Sequence, residues 1–393
     1  MPTEKTLLSF ASIFRSRASE SKPPTDLVWI QTSFIGDIVL STAALAAAAK
    51  AFPGVRQHLV TTSLGVRVLS GCRHIFSLTV FEKKSRSAAG AMWDVRSRLL
   101  EVLKREGSQP GRVVTLLPHR SIRSALLAQI LPWKTIGYHD APASFLYSDR
   151  VSRVATLHES ARIGLLLEPL GVTREDIVRS SPTLETRVMM EASAPTWYQT
   201  LTKWKQSRSG QARVIAVAPG SKWGTKRWTV AGFTGLLDAL LRIEDFMVVL
   251  AGSTEEAPLC KALQDAVSAR LGDAVTNTRL LNLAGVTSLD ELRSLYPLFD
   301  LLVSNDSSPV HYASAFRVPT VALFGATVPS MGFGPLAPGS RSLGVELSCR
   351  PCSDHGPQEC PLGHFRCMKD LSVDKVVAAC ESLLQRTIRS ATT

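Results

Sequence analysis

Short, wholly apolar runs separated by polar loops and longer mixed segments recur along this chain. Leu27-Val28-Trp29-Ile30 reads as a buried strand, Thr32-Ser33-Phe34-Ile35-Gly36 as the loop behind it, and the Ala-rich stretch from Asp37 to near Pro53-Gly54 as a helix. The same alternation predicts strands over 57–61 and 112–117, with helices near 88–105 and through 121–131. Strands that alternate with helices predict a parallel sheet covered on both faces. From about 184 to 212 the pattern turns polar, and one helix is predicted over 195–205. Beyond it the alternation resumes, with strands predicted over 213–218, 246–251, 301–304 and 320–324, each followed by loop and helix signals.

The chain thus divides into an N-terminal extension (1–25), a first α/β unit (26–185), a linker (186–211), a second α/β unit (212–371) and a C-terminal helix and tail (372–393). Length agrees, since 393 residues exceed what one hydrophobic core usually supports. With 45% hydrophobic and 20% charged residues the composition is that of an ordinary globular protein. No apolar run approaches the roughly 18 residues that a membrane-spanning helix needs. The short apolar stretch 7–14 follows Glu4 and ends at Arg15 and Arg17, which argues against a secretory signal. The extension reads as a disordered tail in preference to the alternative, a membrane-surface helix. The 45 Lys+Arg outweigh 33 Asp+Glu, and the resulting +12 favours phosphates, anionic lipid or other polyanions. Nucleic acid ranks low among them, because no basic block carries interleaved aromatics.

In open α/β sheets, ligands sit beyond the carboxyl ends of the strands, so the loops there carry the candidate chemistry. The first, Ser33-Phe34-Ile35-Gly36-Asp37, sets a carboxylate in the first turn of a helix. Asp is a favoured N-cap and suits the positive end of the helix dipole, and on those grounds alone a structural role wins. The functional reading is that the dipole keeps Asp37 ionised to accept a proton from an attacking hydroxyl. The second loop, Pro219-Gly220-Ser221-Lys222-Trp223-Gly224-Thr225-Lys226-Arg227-Trp228, follows a predicted strand and precedes a helix expected near Thr229. Its glycines permit close backbone approach, its hydroxyls and amides can bind phosphate oxygens, and Lys226 can neutralise a diphosphate. It is a phosphate cradle without the Walker spacing, weighed against a merely solvated basic loop. In the third, Ser304-Asn305-Asp306-Ser307-Ser308-Pro309-Val310-His311, Pro309 suits a first helical turn and Asp306 and Ser307 read singly as caps. Beside the cradle, Ser307 and Ser308 can hold a diphosphate and Asp306 can accept sugar hydroxyls.

Taken together, these loops resemble the ADP-heptose:lipopolysaccharide heptosyltransferase family. That family carries a Gly-Asp pair opening the first helix, a Pro-Gly…Thr-Lys-Arg-Trp segment and an Asn-Asp-[Ser/Thr]-x-Pro-x-His segment. Further stretches match, among them Arg120-Ser121-Ile122-Arg123-Ser124-Ala125 with Ile136-Gly137-Tyr138, His158-Glu159, and Val321-Ala322-Leu323-Phe324-Gly325. The resemblance implies a GT-B fold, two Rossmann-like domains facing each other across a cleft, and inversion at the anomeric carbon in one displacement. It implies an ADP-heptose donor held by the second domain, through Gly220, Ser221, Thr225, Lys226, Asp306, Ser307 and Ser308, with Glu255 or Glu256 at the ribose and 283–285 along the base. Asp37 would be the catalytic base and Arg120 and Arg123 acceptor-binding residues, with no metal needed for catalysis. The acceptor implied is the inner core of lipopolysaccharide, reached by a cytoplasmic enzyme peripheral to the inner membrane of a Gram-negative cell. The run from Cys349 to Met368 looks most like the enzyme that adds the second heptose, onto heptosyl-Kdo-lipid A.

Four of the seven cysteines, Cys349, Cys352, Cys360 and Cys367, are spaced C-x2-C-x7-C-x6-C. Structural zinc, disulfides and free thiols compete for them, and a cytoplasmic enzyme should hold few stable disulfides. Cys72, Cys260 and Cys380 lie in or beside apolar segments. Rival functions remain in view. A dehydrogenase would want a G-x-G-x-x-G turn that 32–37 does not supply. A nucleotide-sugar epimerase shares the fold, and a non-catalytic nucleotide-sugar or glycan-binding protein would have no use for Asp37, Lys226 and Asp306 together.

Overall fold

A computed structural model describes residues 22–81, 88–190, 193–207 and 211–390, so most of the N-terminal extension lies outside the described residues. Two six-stranded, wholly parallel sheets account for the alternation. The first is built from β1 (Asp26–Ile30), β2 (Arg56–Thr61), β3 (Ser77–Val80), β4 (Val113–Leu117), β5 (Lys134–Tyr138) and β6 (Asp149–Val151), in the order β3-β2-β1-β4-β5-β6. The second contains β7 (Arg213–Ala218), β8 (Phe246–Leu250), β9 (Leu280–Asn282), β10 (Leu301–Asn305), β11 (Thr320–Phe324) and β12 (Arg341–Gly344), in the order β12-β11-β10-β7-β8-β9. Both orders are the same doubly wound arrangement, each reversing beside its first strand. The crevices open where β1 meets β4 and where β7 meets β10, and ligand sites in such sheets lie there.

The helices that position the site are α1 (Ile35–Ala51), α2 (Ala88–Arg105), α3 (Ile122–Gln129), α4 (Glu159–Gly164), α5 (Thr196–Gln206), α6 (Val230–Leu241), α7 (Ser308–Ala315) and α8 (Val373–Ser390). Helix α1 is buried on nearly every side. It packs on its own sheet, on α4 and on α7 of the second domain, and its Ala-rich sequence allows those close approaches. One apolar cluster runs from Trp29 and Leu40 through Trp197 and Leu201 of α5 into Val214 and Leu302, so the connecting helix joins the two domains' cores. Helix α8 completes the far side of the second domain through Val376, Cys380 and Leu384. No helix among the described residues is long and apolar enough to cross a membrane.

Beneath the first crevice, β1 begins with a fully buried carboxylate. Asp26 accepts hydrogen bonds from the Arg56 guanidinium at 2.8 and 2.9 Å and sits 3.1 Å from His58 Nε2. Burial opposes ionisation, but the bonds from His58 and Arg56 override it and hold Asp26 well below the usual carboxylate range. A depressed carboxylate stabilises the fold above its unfolded pKa and loses that contribution as pH falls through the folded value. Asp26→Ala strands Arg56 and His58 and is expected to cost about 3–5 kcal/mol at neutral pH. Urea unfolding checks this; an unchanged midpoint would show that the pair only offsets its own desolvation.

Candidate functional site

Asp37 occupies the third position of α1, and the N-cap is Phe34, which offers no capping side chain. The simple N-cap reading of Asp37 is therefore corrected. Its carboxylate is partly buried near the Phe34 backbone and the Ser33 side chain, whose hydroxyl donates to Gln31 Oε1 at 2.8 Å. Burial, then the negative charge of Glu159, pushes Asp37 up to about 6, against the opposing influence of Ser33, Arg153 and the Phe34 backbone. Glu159 is itself held between Arg153 and Arg162, the latter at 3.1 Å. A carboxyl near 6 is ionised at neutral pH yet basic enough to take a proton, the property a general base needs.

Across the cleft, the loop after β7 is shaped by neighbours far away in sequence. Asn305, at the end of β10, accepts the Trp228 N–H at 2.9 Å and donates to the Pro219 carbonyl at 2.7 Å, pinning both ends of the loop. Thr229 caps α6 by accepting the Gly232 N–H. Gly220 lies so close to the Glu256 carboxylate that any Cβ there would overlap it. Lys226 Nζ donates to Asp306 Oδ2 at 2.6 Å, and the Thr327 hydroxyl donates to the same oxygen at 2.6 Å. The cap reading of Asp306 is corrected by these contacts. Ser307 is the N-cap of α7 without a side-chain bond, its hydroxyl 3.5 Å from the Gly220 carbonyl, while Asp306 is committed to Lys226 and Thr327.

The cysteine-bearing loop forms the outer wall of the cradle. Thr225 donates its hydroxyl to the Pro357 carbonyl at 2.5 Å, and the Gln358 side chain accepts the Gly224 N–H at 3.1 Å. Buried Thr225 thus holds the loop's shape rather than presenting a free hydroxyl. Cys349 Sγ lies 3.9 Å from His364 Nε2, and Cys360 Sγ accepts the Phe365 N–H. Among the described residues no three His, Cys, Asp or Glu side chains are gathered closely enough to hold a metal ion. Cys349, Cys352, Cys360 and Cys367 form no disulfide and are free thiols.

The two sides of the cleft touch. The Lys222 ammonium lies 4.6 Å over the Phe34 ring, and a Cβ on Gly36 would come 2.7 Å from His311 Cδ2. His311 is buried with no partner for Nδ1 among the described residues, and burial pulls it down to about 4, so it is neutral at physiological pH. Lower in the cleft, Glu159 N–H and Arg162 donate to the carbonyls of Gly332 and Met331, and His158 Nε2 meets the Gly334 carbonyl at 2.9 Å. These contacts bring Asp37 and the Lys226–Asp306 pair to one cleft. Ser221 is buried there and Ser308 lies at the start of α7. Glu255 is exposed, and Glu256 is the acidic residue that faces the cradle, accepting the Ser253 N–H at 2.8 Å. Arg120 pairs with Asp140 at 2.7 Å and Arg123 is exposed on α3, both just beyond β4.

Thr327, Pro357, Gln358, Arg153 and the stapling role of Asn305 were not singled out from sequence. Only Asn305 left a usable signal, a buried amide at a strand's carboxyl end directly before Asp306. The others meet their partners across long stretches of chain.

Residues 113–362 match the profile of glycosyltransferase family 9 (heptosyltransferase). The chain is 28% identical over 179 residues to lipooligosaccharide heptosyltransferase 2 of Campylobacter jejuni, covering 45% of this chain and 53% of that protein. To lipopolysaccharide heptosyltransferase 3 of Escherichia coli it is 23% identical over 300 residues, covering 75% and 82%. The chain spans about half the length of the first curated relatives it matches. Among solved structures, a glycosyl transferase family 9 protein from Veillonella parvula superposes with a TM-score of 0.73 at 22% identity, covering 92% of this chain and 98% of that one. ADP-heptose LPS heptosyltransferase II of E. coli superposes at 0.69 with 19% identity, covering 92% and 99%. These likenesses establish the two-domain GT-B fold.

Proposed function

The chain belongs to glycosyltransferase family 9, and from that premise we propose that it moves L-glycero-D-manno-heptose from ADP-heptose onto the inner core of lipopolysaccharide with inversion. The observation that carries this reading is Asp37, a carboxylate raised to about 6 in the same cleft as the Lys226–Asp306 pair. In the proposed reaction the acceptor hydroxyl loses its proton to Asp37 as its oxygen bonds to the anomeric carbon. The bond from that carbon to the diphosphate breaks on the opposite face. Lys226 and the N-terminal end of α7 meet the charge that develops on the departing ADP. Gly220, Ser221, Ser307 and Ser308 line the donor side, with Thr225 acting through the loop it holds. Glu256 is better placed than Glu255 to approach the ribose, since it borders Gly220.

Arg120 and Arg123, at the rim of the first domain, are proposed to meet acceptor phosphates. Heptosyl-Kdo-lipid A is the proposed acceptor, supported by the likeness to relatives named heptosyltransferase 2. The enzyme would work at the cytoplasmic face of the inner membrane, where its net charge of +12 suits phosphorylated lipid.

The test incubates the purified protein with ADP-heptose and heptosyl-Kdo-lipid A and weighs the acceptor by mass spectrometry. A gain of one heptose with release of ADP is expected. An altered nucleotide sugar with no gain in acceptor mass would mark an epimerase instead, and donor binding without either product would mark a binding protein.

A further inference from the structure

The first domain exposes an apolar face that the cleft chemistry does not use. Ile122 and Leu126, 56% and 47% exposed, stand four residues apart on α3 and so share one side of it. Gln129, one turn on, donates to the Leu146 carbonyl at 2.7 Å, which brings Phe145, 77% exposed, to the same helix. At the end of α3, Arg96 donates to the Ile130 carbonyl at 2.9 Å while its guanidinium lies 5.0 Å over Trp93, itself 54% exposed. Large exposed apolar side chains scattered singly need no explanation, but a contiguous set marks an interaction surface.

The charges around this set are one-sided. The nearby carboxylates are already neutralised: Asp94 by Arg98 at 3.0 Å, Asp140 by Arg120 at 2.7 Å and Asp149 by Lys134 at 2.5 Å. Arg123 on α3 and Arg150 on β6 are exposed and make no ion pair among the described residues. Aromatic and aliphatic side chains flanked by uncompensated arginines suit the boundary of an anionic bilayer, where apolar groups enter the acyl edge and cations meet the headgroups.

We propose that this face, from Trp93 through Ile122 and Leu126 to Phe145, with Arg123 and Arg150, docks the protein on an anionic lipid bilayer. Its placement gives the docking a purpose. Ile122 opens α3 directly behind β4, next to His119, whose Nδ1 lies 3.2 Å from the Thr32 hydroxyl two residues before Phe34. The apolar face therefore begins at the rim of the crevice that leads to Asp37. A sugar acceptor anchored in the bilayer would enter from that rim without leaving its membrane. This purpose rests on the proposed transfer to a lipid-linked acceptor, whereas the docking itself does not.

Cosedimentation of the full chain with vesicles tests it. Vesicles of phosphatidylcholine containing phosphatidylglycerol are expected to bind the protein, and pure phosphatidylcholine vesicles at least tenfold more weakly. The Leu126→Ser/Phe145→Ser variant is expected to lose binding by at least tenfold, and Arg150→Glu to weaken it mainly at low salt, with thermal unfolding unchanged in both. Equal binding by parent and apolar variant would overturn the proposal, as would equal binding to both vesicle types. Self-association in lipid-free solution that the Ser substitutions abolish would overturn it in favour of a second copy of the chain. Because no donor or acceptor is present, a failure of the transfer assay leaves this result standing, and the reverse also holds.

Discussion

Asp37→Asn is expected to reduce kcat/KM for transfer by about 10²–10⁴-fold, the usual worth of a general base, with donor affinity little changed. Asn keeps the size of the side chain, but it cannot take the hydroxyl proton. The wild-type rate should fall as pH drops through about 6, where Asp37 becomes protonated. Stability should move the other way from activity. A carboxyl whose folded pKa is raised contributes stability at low pH that is lost as pH rises through the folded value. At pH 7.5 the wild type therefore carries a partly buried charge that Asn removes, and the melting temperature of the variant should be equal or higher. Glu159→Gln supplies the companion measurement. It removes the negative charge that raises Asp37 and releases Arg153, and both changes favour the carboxylate, so the acid limb should shift to lower pH. A variant that retains transfer at the wild-type rate, or an acid limb that Glu159→Gln leaves in place, would remove Asp37 from the role of base.

Seven of the twelve strands among the described residues were legible, because parallel strands buried on both faces read as continuous apolar runs, whereas β3, β5, β6, β9 and β12 were not. The segments expected over 213–218 and 320–324 coincide with β7 and β11, and the helix expected near 88–105 coincides with α2. For the strands that were read, a single residue at a terminus was the usual difference, as at β2 and β10, because the last apolar residue of a strand and the first polar residue of a loop share a boundary. The crevice loops could be located in the sequence as well, since each follows a strand. What each polar side chain does there could not. Asp306 has the composition of a cap and instead serves Lys226, because Thr327, 21 residues on, and Lys226, 80 residues back, converge on it in space. Thr225 looked like a ligand for phosphate until Pro357 was found to accept its hydroxyl.

Lys226→Ala is expected to weaken ADP binding more than the loss of one contact explains. A hydrogen bond to a charged group is worth about 1.5–3 kcal/mol, or about 10- to 150-fold in affinity. Lys226 and Asp306 are a mostly buried pair, 12% and 6% exposed in their side chains. Removing the lysine alone leaves the Asp306 carboxylate, among the described residues, with only the Thr327 hydroxyl, a negative charge facing the site proposed for a diphosphate. The variant should therefore lose an attraction and gain a repulsion, and it should also be less stable than the wild type. Adding Asp306→Asn to Lys226→Ala removes the repulsion while keeping an acceptor for Thr327. The double variant is expected to recover part of both the ADP affinity and the melting temperature, so the two substitutions are strongly non-additive. Calorimetric titration of the four proteins with ADP completes the cycle. Unchanged affinity in Lys226→Ala would place the diphosphate elsewhere. Additive losses would mean that Asp306 meets the donor directly, accepting its hydroxyls rather than holding the lysine.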